Sequence, residues 1–334
     1  MVTGLGKTAV IVVCWNNEAL LEGCLQSVCA QTMESSMIVQ IVVDNGSDDG
    51  SVALVRSRFP DAHIIEMGHN SGFSHANNVG IRHAFMDPLV DAVVLLNSDA
   101  RFAPDWVAVL REFAATRPRG ATFQALTLDH QDPTLVDSHH LYLSRSLHAM
   151  QFATGQRATD ISAHTERVFG VNAAACLYTR AFLEAQPFDD YLDETMGMYL
   201  EDVDLATRAL VMGWESWFVQ GTRAYHMGSA SAKKRASGFA LRQTWRNQPV
   251  LLVSNLPWAV LGRGLWGLIG HEIGAVRHLR SSGQPELVGE IRRGRFEGFR
   301  LLPYALRRRR QLAPLRVVDA DHLWELMRDG RAIR

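Results

Sequence analysis

Residues 91–99 read D-A-V-V-L-L-N-S-D, and the five apolar positions Ala92–Leu96 end abruptly on Asn97, Ser98 and Asp99. An unbroken β-forming run of that length is the pattern of a strand buried on both faces. In open α/β sheets, ligands collect just outside the carboxyl ends of such strands. A carboxylate placed there beside an amide and a hydroxyl offers the hard oxygen ligands that suit Mg²⁺ or Mn²⁺ carrying a diphosphate. A polar turn with Asp99 as a helix N-cap would use the same three residues, and this stretch by itself leaves both readings open. A second group is Glu201, Asp202 and Asp204, three carboxylates at the start of a helical segment. The helix macrodipole favours acids there, and a general base drawn from the group is the competing reading. Asp204 is set apart in either case, because residues two apart do not share a helix face.

These groups need elements to position them. Thr8–Cys14 is a short β-branched run read as a buried strand, broken by Trp15, Asn16, Asn17 and Glu18. Leu20, Leu21, Cys24, Leu25 and Val28 follow at helical spacing. A second strand at Met37–Val43 runs into the polar loop Asp44–Ser51, whose Ser51 is expected to cap a helix through about Phe59. A third strand, His63–Met67, leads into residues 70–80, a loop passing into a helix that ends near Phe85. Four strands separated by helical segments require right-handed crossovers and a parallel sheet. The loops Trp15–Glu18, Asp44–Ser51 and Asn97–Asp99 then face one rim. Beyond Pro104 a helix carries Trp106, Val109, Leu110 and Phe113, and residues 119–167 are mixed, with irregular strands expected. Residues 168–178 read as one strand lined with small residues. Residues 214–219 read as another, with His226 following in a loop.

Composition removes several classes. With 334 residues, 47% of them hydrophobic, there is ample material for a large core, and a formal net charge of -1 excludes a globally basic nucleic-acid binder. Cys14, Cys24, Cys29 and Cys176 show no paired spacing, which indicates a reducing compartment, and Cys14 and Cys24 sit among apolar residues as small core side chains. No basic leader precedes a long apolar run and no stretch reaches about 18 uninterrupted apolar residues, so neither a signal peptide nor a membrane span is expected. No G-x-G-x-x-G follows the first strand and no G-x-x-x-x-G-K-[ST] occurs, which disfavours dinucleotide and triphosphate folds.

The ordered set of short motifs closely resembles the family 2 glycosyltransferases of the type A nucleotide-sugar fold, and within them the rhamnosyltransferase-like branch. The matching stretches are V-V-C-W-N-N at 12–17, V-V-D-N-G-S-D-D-G-S at 42–51 and N-S-G-F-S-H-A-N-N-V-G-I at 70–81. They continue with L-L-N-S-D at 95–99, Y-L-E-D-V-D-L at 199–205 and H-M-G-S at 226–229. The resemblance implies an α/β fold with a mostly parallel central sheet flanked by helices and a C-terminal helical appendage. It divides the chain into a catalytic domain at 1–235, with a nucleotide-binding half to about 100, and a C-terminal region at 236–334.

The roles it implies are specific. Cys14, Trp15, Asn16, Glu18, Asp44, Asn45, Gly72, Phe73, Ala76, Asn77, Asn97 and Ser98 would line the donor site, with Asp44 accepting a hydrogen bond from the base. Asp99 would bind a divalent metal, Mn²⁺ or Mg²⁺, with His226 as a second ligand. This chain has N-S-D where many similar proteins show D-x-D. Asp202 would be the general base of an inverting transfer and Glu201 its support. The implied reaction moves a sugar, rhamnose or another deoxyhexose, from a nucleotide-diphosphate donor to a bacterial surface glycan or polyprenyl-linked acceptor. A sugar nucleotidyltransferase is the nearest enzyme rival, though Cys14-Trp-Asn-Asn lacks its Gly-rich loop with Arg. A non-catalytic nucleotide-sugar or glycan-binding relative is the rival from another class.

The C-terminal composition adds a further expectation. Trp258 and Trp266 lie in an interrupted apolar stretch, and eight arginines stand against one acid, Glu297, across residues 292–310. Trp and Arg beside apolar helices fit an interfacial anchor facing anionic lipid. A helical subdomain packed on the catalytic part, or an oligomer interface, would use the same residues. The expected location is cytoplasmic, with peripheral attachment to the inner face of the membrane. No nucleic-acid partner is expected.

Overall fold

The computed structural model describes residues 6–161, 164–228 and 238–327. The chain opens as β1 (Lys7–Cys14), α1 (Glu18–Cys29), β2 (Ile38–Asp44), α2 (Ser51–Arg58), β3 (His63–Glu66), α3 (Phe73–Ala84) and β4 (Val90–Asn97). Next come β5 (Ala100–Phe102), α4 (Trp106–Ala115), β6 (Gly120–Asp129), β7 (Val136–Ser138), β8 (His140–Leu143) and β9 (Ala149–Phe152). β10 (Glu166–Val168), β11 (Ala175–Thr179), α5 (Arg180–Glu184), α6 (Glu201–Val211) and β12 (Glu215–His226) complete the sheet region. Among the described residues the helices α7 (Gly238–Asn255), α8 (Trp258–Ser281), α9 (Leu287–Arg300), α10 (Leu302–Leu312) and α11 (Ala320–Leu326) follow.

The sheet runs β3-β2-β1-β4-β11-β6-β12-β10, with β5 added to β12 and β7 to β6. It is parallel through β3-β2-β1-β4, as the crossover argument requires, and mixed beyond, because β11 is antiparallel to both β4 and β6. Strand residues alternate between two cores. Val10 and Val12 face Leu21, Leu25 and Trp106, while Ile11 faces Ile41, Ile81 and Leu95 across the other side. That alternation is the period-two pattern of a doubly covered sheet. The register sets Cys14 opposite Asp44 and Val13 opposite Asn97, so three strand ends reach one rim together.

Three local expectations are corrected. Ser51 is the first helical residue of α2 rather than its cap: Gly50 takes the N-cap position, and the Asp49 carboxylate accepts from the Ser51 amide at 3.0 Å. Residues 168–178 are not one strand. They divide into the edge strand β10 and the inner strand β11, joined by a segment crossing α6, where a Cβ on Gly170 would meet the Ala206 Cβ at 2.3 Å. Residues 119–167 hold the irregular strands expected: β6 runs ten residues with a register shift between Thr127 and Leu128, followed by the short strands β7, β8 and β9. His226 is not in a loop: β12 continues beyond Val219 through a register shift between Phe218 and Arg223, with Gly221 at φ +111°, and ends on His226. A bulge resets the alternation that sequence patterning relies on, so the strand looked finished where it only bends.

The C-terminal helices pack on α6. Leu252, Leu256, Val260, Leu312 and Leu323 share a buried cluster with Leu210 and Val211. The arginine block is divided by this packing. Arg295 pairs with Glu272, Arg308 with Asp190 at 2.7 Å, and Arg309 donates to the Val253 and Leu256 carbonyls. Arg307 to Arg310 therefore do not form one solvated patch, since 3.6 residues per turn sends neighbours to opposite sides of α10. Arg292, Arg293, Arg300, Arg307 and Arg310 stay exposed. Trp258 is 59% and Trp266 79% exposed, and Leu265, Ile269 and Ile273 continue an apolar face along α8. Among the described residues no helix is long and apolar enough to cross a membrane. The proposed boundary at 235/236 lies outside the described residues, as does Ser229.

Candidate active site

The rim is assembled by side chains reaching between loops. Asn17 Nδ2 donates to Ser98 Oγ at 2.9 Å, tying the loop after β1 to the loop after β4. The Asn16 amide donates to Ser47 Oγ and Asn16 Oδ1 accepts from the Asp48 amide, tying β1 to β2. Glu18 Oε2 accepts from Gly50, and Trp15 lies 41% exposed beside them. Asn45 is buried and joins the third loop, accepting at Oδ1 from the Ser71 amide and hydroxyl at 2.8 and 2.9 Å. Gly72 holds φ +88° with its Cα face against Gly197, a conformation and an approach that a side chain would obstruct.

Donor-site residues expected from the sequence therefore fall into two groups. Trp15, Asn16, Glu18, Asn97 and Ser98 stand on the rim. Asp44 lies buried at the end of β2, its carboxylate accepting from the Gly46 and Ser47 amides at 3.2–3.3 Å. Cys14, Ala76 and Asn77 are buried behind the rim, with Asn77 Nδ2 returning to the Phe73 carbonyl within α3. Burial raises the Cys14 thiol, so it is a small neutral core group there.

At the end of β4, Asp99 Oδ1 lies 3.2 Å from His226 Nε2, and His226 Nδ1 lies 3.0 Å from Asp137 Oδ2. Asn97 Nδ2 is 3.3 Å from the same Nε2. Burial lowers the His226 imidazole, but hydrogen bonds to Asp137 and Asp99 more than offset that and lift it to about 10. The arrangement fits a divalent cation in one respect that can be checked: a metal-binding histidine is held through its other ring nitrogen, usually by a carboxylate. Asp137 occupies that place, so that Nε2, which faces Asp99, is the nitrogen that could meet an ion. Asp137 escaped sequence reasoning because it lies in a region of weak periodicity, and only the pairing of β7 with β6 and of β6 with β12 brings it to His226.

The catalytic carboxylate candidates sit across the sheet end. Asp202 Oδ1 accepts from the Val203 amide at 2.8 Å, and Oδ2 faces the Ala173 amide at 3.5 Å. The next residue, Ala174, accepts at its carbonyl from the Asn97 amide, so one short segment links the base candidate to the rim. Glu201 is buried and its Oε2 has no hydrogen-bond partner among the described residues. Burial first, and then the neighbouring Asp202 charge, push the Glu201 carboxyl upward; burial likewise raises Asp202, against the amides that lower it. Asp204 turns away, as expected, to pair with Arg208 at 2.8 Å in the interior.

A positioning device stands at the head of α6. Tyr199 and Leu200 both hold φ near +70°, the left-handed conformation that costs most residues energy. Asn247 Nδ2 lies 2.8–2.9 Å from the carbonyls of Met196, Met198 and Tyr199, and Arg246 donates to the Thr195 carbonyl. The strained turn that launches α6 is thus held from α7.

A sheet whose parallel strands run in the order 3-2-1-4, with a polar rim at their carboxyl ends, has the type A glycosyltransferase fold. Residues 9–177 match the family described as Glycosyl transferase family 2, and the chain belongs to that family. It is 28% identical over 205 residues to the N-acetylglucosaminyl-diphospho-decaprenol L-rhamnosyltransferase of Mycobacterium tuberculosis, strains CDC 1551 / Oshkosh and ATCC 25618 / H37Rv. That match covers 56% of this chain and 65% of the relative, just under two thirds of its length. Among solved structures, the mannosyltransferase PcManGT from Pyrobaculum calidifontis, in complex with GDP-Man and Mn²⁺, shares the fold at TM-score 0.55 and 17% identity. That alignment covers 97% of this chain and 88% of that one. S. aureus TarS 1-349 in complex with UDP aligns at TM-score 0.56 and 16% identity over 96% of this chain and 90% of that one.

Proposed function

We propose that the chain is an inverting glycosyltransferase that moves rhamnose, or another deoxyhexose, from a nucleotide-diphosphate donor to a polyprenyl-diphosphate-linked sugar. The observation that carries this reading is the link from Asp202 through Ala173–Ala174 to Asn97, which sets a proton acceptor against the Asp99–His226 rim. The name of the curated relative supports the sugar and the lipid-linked acceptor, and the solved neighbours' complexes support a nucleotide donor with Mn²⁺.

In this reading Asp202 takes the acceptor hydroxyl's proton as that oxygen bonds to the anomeric carbon. The nucleotide diphosphate leaves with the bonding electron pair. Glu201, held protonated by burial, leaves Asp202 as the acceptor of the proton. Asn45 and Gly72 keep the nucleotide loop in shape, and Asp44 offers a carboxylate to the base. Asp99 and His226 would hold a divalent ion, which would neutralise charge on the leaving diphosphate; His226 would serve it as the neutral imidazole, with Asp137 keeping the Nδ1–H in place.

Thermal-shift screening of nucleotide sugars tests the donor assignment, because a ligand that binds only the native state raises its melting temperature. A deoxyhexose donor should give the largest shift, and transfer to a polyprenyl-diphosphate sugar should follow. Stabilisation by hexose donors alone would refute the sugar assignment. Asp99→Ala should abolish the Mn²⁺ enhancement of nucleotide-diphosphate binding in titration calorimetry, and His226→Ala should reduce it less. Equal enhancement in Asp99→Ala and the parent would remove Asp99 from the ion.

The location follows the acceptor. The apolar face of α8 and the five exposed arginines are proposed to hold the enzyme peripherally on anionic lipid. Each basic residue near such a surface contributes about 1 kcal/mol within a Debye length. Vesicle co-sedimentation should require anionic lipid and decline with salt. It should also weaken when Arg292, Arg293, Arg300, Arg307 and Arg310 become Gln, a set that spares the internally paired Arg308 and Arg309. Absence of sedimentation at low salt would instead leave α8 as a face for another subunit.

A further inference from the structure

The turn ahead of α6 has a shape that a chain does not adopt unaided. Gly197, Tyr199 and Leu200 hold φ of +66°, +70° and +71°. Glycine takes such angles freely, whereas a side chain there crowds the following carbonyl, so Tyr199 and Leu200 each cost energy that other contacts must offset. This turn touches both halves of the site. The Gly197 carbonyl accepts from the Ser74 amide at 2.9 Å, in the first turn of α3, and a Cβ on Gly72 would stand 3.3 Å from the same carbonyl oxygen. The Leu200 carbonyl accepts from the Asp204 amide at 2.8 Å as α6 begins, so the turn sets where Glu201 and Asp202 emerge.

The grip on the turn comes from α7. Asn247 is 0% exposed, and its Nδ2 reaches the Met196, Met198 and Tyr199 carbonyls at 2.9, 2.9 and 2.8 Å. An amide nitrogen carries two N–H donors, and three carbonyls gathered around it are what curls this stretch. The amide is itself oriented. Arg246 Nη1 donates to Asn247 Oδ1 at 2.7 Å and to the Thr195 carbonyl at 2.8 Å, which leaves Nδ2 facing the turn. The nucleotide loop is tied separately by Asn45, which accepts from Ser71 and donates to Asn70 Oδ1 and the Gly72 carbonyl.

We propose that Asn247 is a positioning residue for sugar transfer: by gathering the carbonyls of the turn it sets Asp202 where a base can reach the acceptor hydroxyl. The inference rests on Asp202 as that base. It separates two effects that a general loss of structure would join. Misplacing a reacting group by about 1 Å can cost about 10²-fold in rate, yet a relaxed turn leaves the Asn45 tether of the nucleotide loop intact. Asp202 is partly buried, and that burial lifts its carboxyl to about 6. A loosened helix start admits water and brings the carboxyl down toward the ordinary aspartate value. Its titratable neighbours, Glu201 and Asp204 on α6 and Cys176 and Tyr178 on β11, stay in place when Asn247 is changed, so such a shift reports Asp202 itself.

The test compares the parent chain, Asn247→Ala and Asp202→Asn. The measurements are affinity for the nucleotide sugar selected by the thermal-shift screen, turnover on a polyprenyl-diphosphate sugar, and the acid midpoint of that turnover. Asn247→Ala should lower kcat by about tenfold or more, keep nucleotide-sugar affinity within about threefold, and move the acid midpoint downward. If Asn247→Ala does not fold, Asn247→Ser, which keeps one donor, decides on the same three readouts. A kcat within about twofold of the parent overturns the role, as does a joint fall of kcat and affinity with the midpoint unmoved. Asp202→Asn keeps the two failures apart. Wild-type turnover in that variant withdraws the base and this role with it, whereas impaired Asp202→Asn beside an unaffected Asn247→Ala overturns the positioning role alone.

Discussion

Asp202→Asn should lower turnover by about 10²-fold or more while leaving nucleotide-sugar binding close to wild type, the loss expected when a general base is removed. The substitution keeps the side-chain shape, and its amide oxygen can still accept from Val203 at the position where Asp202 Oδ1 does so at 2.8 Å. What disappears is the capacity to take a proton. Steady-state kinetics paired with donor thermal shifts separates this from a folding defect. Wild-type turnover would pass the role to Glu201 or Asp204. Glu201→Gln is the control, because a carboxyl already neutral loses little by becoming an amide, and turnover should remain within about tenfold of the parent. The pH profile carries the same argument. Asp202 must be ionised to accept a proton, and burial raises its carboxyl. Activity should therefore fall as pH drops, with a midpoint above the ordinary aspartate value of about 3.9. The sign for stability is opposite. A carboxyl raised in the folded state favours folding at low pH, and that contribution is lost as pH rises through the folded value. The enzyme is thus expected to be most active where this carboxylate is least comfortable.

The parts of this site that were legible in the sequence are those a single strand or helix carries to its own end. Residues 8–14, 37–43 and 91–99 announced buried strands by composition, and their polar ends had to meet once the crossovers made the strands parallel. Asn17 bonding to Ser98 realises that inference in atoms. Features that depend on contacts between distant segments were not legible. His226 looked like a loop residue because the Gly221 bulge breaks the alternation ahead of it, and Asp137 has no local pattern that distinguishes it from the other acids between 119 and 167. The arginines of α10 misled for the converse reason. A run of like charge reads as a solvated face, yet Arg308 is buried between Asp190 and Asp193, with its guanidinium 3.6 Å from the centre of the Phe188 ring. Nothing in residues 307–310 shows that the acids paired with Arg308 lie more than a hundred positions upstream.

Those buried charges lead to the second large effect. Asp204→Ala should destabilise the fold by about 3–5 kcal/mol, the cost of stranding a buried charge by removing its partner. Arg208 is fully buried beside Asp204, and its other nitrogens donate to Gln186 Oε1 and the Tyr191 carbonyl at 2.9 and 2.8 Å. Asp204 Oδ1 in turn accepts from Asn255 Nδ2 at 2.6 Å, so one carboxylate joins α6, the segment ahead of it and the end of α7. With Asp204 gone, the guanidinium keeps two neutral acceptors and loses its counter-charge, while Asn255 loses an acceptor as well. Urea unfolding measures the loss as a lower midpoint at constant slope. Replacing both partners by apolar groups, as in Asp204→Leu with Arg208→Met, should recover much of it, since a buried ion pair often exchanges for packed hydrophobic side chains at little net cost. Asp202 stands two residues from Asp204 at the head of the same helix, so Asp204→Ala should also lower turnover even in the folded fraction. An Asp204→Ala variant within about 1 kcal/mol of wild type would show that water reaches Arg208 and that the pair is not what fixes α6 beneath the site.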